Sequence, residues 1–132
     1  MTLAPLPPYA LAPSVFPFRH LAGLAGRAPI GGAREVALAC FVAARLAADH
    51  DPTAVDGETA RASRCAGAKT WLGSLALPSP VRTSVTRCAD ASAYGEREDL
   101  ARELATLAIA AAAFLDAPSR HELEALIASF RG

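Results

Sequence analysis

"AREVALACFVAARLAADH" (residues 33–50) decides the fold. Val36, Cys40, Ala43 and Ala47 fall on one line of a helix, with Leu38, Phe41, Val42 and Leu46 beside it. Polar residues appear only near the ends. An apolar arc this wide, repeating with the helical period, belongs to a helix enclosed by others rather than one lying on a surface. The stretch therefore predicts the central helix of a bundle.

Four further helices are expected after it. "DHDPTAVDG" breaks the chain, and a second helix runs from Glu58 to Leu77 on a stripe of Cys65, Ala68, Leu72 and Leu75. Pro78 stops it. The third opens at "SPVRTSVTRCADAS", with Ser79 as N-cap and Pro80 at the first helical position, where its missing N–H costs nothing. The fourth starts near Gly95. Glu96, Glu98 and Asp99 suit the positive end of its dipole, and Glu98 is spaced to pair with Arg102. Past Leu104 this helix is apolar all round, which predicts that Leu107, Ala110, Ala111 and Phe114 are enclosed. In the fifth, Ser119 and Glu122 read as a capping box ahead of Leu123, Leu126, Ile127 and Phe130. No run alternates as a half-buried strand does.

Upstream of the bundle the composition changes. "PLPPYALAPSVFPFRH" (5–20) holds five of the ten prolines. Proline removes donors and pushes the preceding residue out of the helical region. Leu3, Leu6, Tyr9, Leu11, Val15, Phe16 and Phe18 are too apolar for a solvated tail, so the arm is expected to dock, chiefly through Phe16 and Phe18. "RHLAGLAG" (19–26) reads as a short helical turn before Pro29. The expected fold class is all-α: a compact antiparallel bundle of four to five helices (residues 32–132) with an extended Pro-rich N-terminal arm (residues 1–31) packed on it.

The chain has 132 residues and no formal net charge, so nothing pulls it globally toward nucleic acid or acidic lipid. Its heavy use of Ala, Arg and Gly suggests a high-GC bacterial genome. No apolar run reaches the ~20 residues of a membrane helix, and no basic leader precedes an uninterrupted apolar run. Cys40, Cys65 and Cys88 match no zinc or redox spacing. They read as small buried hydrophobes in a reducing cytoplasm, with a disulfide between two of them as the alternative.

Little in the chain advertises chemistry. The acidic cluster around Asp49, Asp51 and Asp56 lacks the glycine an EF-hand requires at its sixth position, and reads as a solvated loop. His20, His50 and His121 form no metal pair on one helix. No nucleophile elbow, P-loop or dinucleotide fingerprint is present. No catalytic residue, metal or cofactor is assigned, and the balance leans away from an enzyme. A basic block (59–89) carries Arg61, Arg64, Lys69, Arg82 and Arg87 without an acid, but lacks interleaved aromatic rings other than Trp71.

The expected function is a non-enzymatic protein–protein interaction module, a bacterial accessory or adaptor subunit in the cytoplasm. Tyr9, Phe16, Phe18 and Trp71 are the candidate partner contacts, and self-association is included. Two alternatives remain: a regulator holding a small apolar ligand between helices near Cys65, Trp71 and Phe114, and a nucleic-acid accessory subunit using the basic block.

Overall fold

The computed structural model describes residues 18–27, 32–48 and 57–131, with side chains within 18–26, 32–48 and 62–131. Among the described residues six helices pack together: α1 (Arg19–Arg27), α2 (Ala33–Ala48), α3 (Gly57–Leu72), α4 (Ser79–Tyr94), α5 (Arg97–Ala111) and α6 (Ala117–Arg131). A 3₁₀ turn, Ala112–Phe114, joins the last two. No strand occurs among the described residues.

α2 is the centre. It touches each of the other five helices and the 3₁₀ turn. Every residue from Glu35 to Ala47 is buried. Its many alanines make this possible, because small side chains let neighbouring backbones approach from several directions. The large side chains of the core come from outside α2 as well: Leu21, Leu100, Leu104, Leu107, Leu123 and Leu126 are all fully buried.

The described residues hold six helices where four to five are expected, and the extra one is α1. The stretch read as a short turn is a nine-residue helix packed on α2 and α6. Gly23 and Gly26 lower its intrinsic propensity, and tertiary contacts override that. Phe18 precedes it in the left-handed region, with φ at 49°. A bulky residue is strained there. The conformation turns Phe18 into the core, where only 3% of it is exposed, and its carbonyl accepts the first intrahelical bond from the Ala22 amide at 2.8 Å. Tyr9, Leu11 and Phe16 lie outside the described residues, as does the acidic cluster at 49–56.

Several helix ends differ from the sequence reading. α3 ends at Leu72, not Leu77. Arg82 explains the stop: its guanidinium donates to the Leu72 carbonyl at 3.3 Å and to the Leu75 carbonyl, so an arginine from α4 caps the end of α3. The N-cap of α4 is Pro78, with Ser79 already helical and making no cap bond. In α5 the reciprocal box joins Glu96 and Asp99, and the Glu96 amide donates to Asp99 Oδ2 at 2.8 Å. Arg102 pairs with Asp99 at 2.7 Å rather than with Glu98. Between α4 and α5 only Gly95 fits, because a Cβ there would lie 2.8 Å from the Ala91 carbonyl oxygen.

The cap of α6 is also reassigned. The helix starts at Ala117, two residues before Ser119, and Asp116 Oδ1 accepts the Ser119 amide at 3.0 Å. Ser119 is fully buried, and its hydroxyl has no hydrogen-bond partner among the described residues. Glu122, released from any box with Ser119, does something else. Its carboxylate accepts the His20 amide at 3.1 Å and the Leu21 amide at 2.7 Å. These are the second and third residues of α1, the donors an N-cap side chain normally serves. The Phe18 side chain has no oxygen to offer, so the cap comes from α6.

Candidate functional site

α5 is oriented by Leu100, Leu104, Leu107 and Ala111, spaced four, three and four, all of them 0% exposed. That stripe fixes what the rest of the helix can do. Ile109 lies about 200° around the helix from Leu107, so it points away from the core and is 80% exposed. This corrects the expectation that the second half of the helix is enclosed. Leu107 and Ala111 are fully buried, whereas Ala110 and Phe114 are only partly covered. Thr106, three positions before Ile109 and also exposed, is the one polar signal of which side faces water, and the leucine spacing is what could have reinforced it.

Ile109 is one wall of a groove between α5 and α6, with a volume of about 550 Å³. Ala105 and Ala108 from α5 and Ile127 and Ala128 from α6 form its floor and sides. Glu124 and Arg131 stand at its edge on α6. Both are exposed, and neither makes a side-chain hydrogen bond or ion pair among the described residues. Arg97 braces the same helix pair from another side. Its guanidinium lies 5.1 Å from the centroid of Phe130 and donates to the Ser129 carbonyl at 2.7 Å. The groove therefore sits on two helices clamped at the junction where α5 begins and α6 ends.

The residues singled out from sequence are dispersed. Phe18 is in the core. Trp71 is 9% exposed and packs in the core from α3, presenting little surface. Cys65 shares α3, which packs on α2 and α4, whereas the turn bearing Phe114 packs on α2 and α5. Within the basic block, Arg82 is engaged as the cap of α3. Lys69 forms an ion pair with Asp90 of α4 at 2.9 Å, and that hydrogen bond and charge hold its pKa above the ordinary lysine value. Arg64 is half-buried, Arg87 is exposed, and the side chain of Arg61 lies outside the described residues.

The three cysteines are buried thiols, none of them in a disulfide among the described residues. Burial pushes the Cys40 thiol up to about 12, and desolvation with the nearby Cys40 and Glu103 charges raises Cys88 as well. Such thiols are poor nucleophiles at neutral pH. Among the described residues no group of three or more His, Cys, Asp or Glu is placed to hold a metal ion. No described helix is long and apolar enough to cross a membrane.

The arrangement offers an apolar trough with two opposite charges on its rim, suited to burying side chains of another polypeptide. No protein-family model, curated protein or solved structure matches the chain.

Proposed function

We propose that the chain is a non-enzymatic helical protein–protein interaction module, and that the α5–α6 groove is its docking surface. The observation that carries the reading is Ile109, an isoleucine 80% exposed beside a trough of alanine and isoleucine. An isolated exposed apolar residue needs no explanation; here it borders a concave, mainly apolar strip, and that combination supports a recognition site. The Ala, Arg and Gly content supports a bacterial source, and three buried cysteines with no disulfide among the described residues support a reducing, cytoplasmic setting. Arg82 is engaged as the cap of α3 and Lys69 in an exposed ion pair with Asp90, which leaves the nucleic-acid alternative fewer free charges.

A photoreactive amino acid placed at position 109 of the full chain tests this. Irradiation in the native cell is expected to yield a covalent product with a polypeptide, identified by mass spectrometry. If position 109 captures no polypeptide while an exposed control on another face behaves identically, the groove is not a docking surface.

A further inference from the structure

The charges on the rim of the groove have an order. Glu124 and Arg131 lie seven positions apart on α6, two helical turns or about 10 Å, and on the same face as Ala128. The midpoint between them falls between Ile127 and Ala128, the apolar residues of the trough. A two-fold axis through that midpoint, perpendicular to α6, exchanges the two ends of the pattern.

We propose that the groove is filled by a second copy of this chain, with the two α6 helices antiparallel across a two-fold axis. The inference rests on the reading of the groove as a docking surface and names its occupant. In this register Glu124 faces Arg131 of the second copy, and the symmetry repeats the pair at the other end. Ile127 and Ala128 meet across the axis. A closed two-fold contact requires such self-complementarity, in which each position meets a different position of the same patch. A parallel arrangement would set Glu124 against Glu124 and Arg131 against Arg131. The small side chains of Ala105, Ala108 and Ala128 permit close approach, and Ile109 projects as the knob that the facing trough receives. With a formal net charge of +0, two copies meet without global repulsion.

Static light scattering on the full chain, from about 10 to 500 µM where small interfaces dissociate, tests the proposal through charge reversal. The wild type is expected to dimerise. Glu124→Arg and Arg131→Glu are each expected to weaken dimerisation about tenfold or more, because each sets like charges face to face. The double variant Glu124→Arg/Arg131→Glu restores opposite pairs and is expected to return to near wild-type association. Both positions are exposed on a helix, and circular dichroism checks that each variant keeps its helix content. A wild type that is monomeric throughout, single reversals without effect, or a double variant no better than the singles overturns the proposal. The probe at position 109 separates the two levels of inference. A product with a different protein, or with residues 1–17 of the same chain, overturns the second copy and leaves the groove as a docking surface. A product of twice the chain mass supports both, and no product removes both.

Discussion

Glu122 Oε1 accepts the amide proton of Leu21 at 2.7 Å across a sequence separation of 101 residues. With the His20 amide on the other oxygen, one carboxylate serves two of the four donors that open the first helix. It also places a negative charge at the positive end of the α1 dipole. Stability of α1 therefore depends on a residue of α6.

Removing that carboxylate leaves two amides without their acceptor. Glu122→Ala is expected to cost about 1–2 kcal/mol, the scale of a lost N-cap. Glu122→Gln keeps one acceptor oxygen and loses the charge, so its loss is expected to be smaller, about 0.5–1 kcal/mol. Denaturant midpoints check the order. Equal stability of all three proteins would refute a trans cap.

At the start of α6 the two cap candidates give opposite results. Asp116→Ala is expected to cost about 1 kcal/mol. Ser119→Ala removes a buried hydroxyl that has no partner among the described residues, and is expected to be neutral or slightly stabilising. A large loss from Ser119→Ala with none from Asp116→Ala would return the cap to Ser119.

Two positions separated by a single residue on α5 are expected to behave differently. Leu107→Ala deletes a fully buried side chain and should cost about 2–5 kcal/mol. Ile109→Ala, measured at low concentration, should change the melting temperature little, because the side chain is mostly in water already. Similar losses at both would mean that α5 is rotated from the described orientation.

Thiol reactivity reports on the centre of the bundle. Cys40, Cys65 and Cys88 are expected to react with a thiol reagent only after denaturant is added. Cys40 has its pKa raised from 9.0 to about 12, so the folded state keeps a proton that the unfolded state releases. Its contribution to stability is complete below pH 9 and is lost as pH climbs from there toward 12. Denaturant midpoints measured across that window should fall, and should fall less steeply in Cys40→Val.

Asp99 acts at the other end of the pH scale. The Glu96 amide first, and Arg102 second, hold its carboxyl below the ordinary value of 3.8. Stability from this group is present above that value and is lost as pH falls through the folded pKa. Asp99→Asn is expected to flatten the acid limb of a stability–pH curve. An unchanged limb would show that the box adds nothing at neutral pH.

The central helix was legible because its polar residues lie near its ends, while Val36, Cys40, Phe41, Val42 and Leu46 spread an apolar arc around the middle. Helix boundaries and faces were less so, for physical reasons. The Ser-x-x-Glu pattern at 119–122 is local, and Asp116 and the distant α1 amides competed for the same groups and won. Arg82 reads as a surface charge until α3 is seen ending against it. α1 looked like a turn since its cap is a residue of another helix. In the run after Leu104, Thr106 is the one polar side chain before Asp116, so the outward turn of Ile109 was marked only by that threonine three positions earlier and by the leucine spacing. The groove escaped sequence reading because it joins side chains of α5 and α6 whose facing is set by packing.

The reach of Glu122 also orders events during synthesis. A ribosome adds about 5–20 residues per second, so Leu21 leaves it roughly 5–20 s before the carboxylate that accepts its amide. Through that interval α1 can lie along α2, its neighbour in the chain, but its first amides must be served by water. The left-handed turn at Phe18 has no fixed anchor until the last helix arrives. The amino-terminal helix is thus an early-made element with a late-made lock, and a nascent chain halted before residue 122 should leave it open to proteases that the finished protein resists.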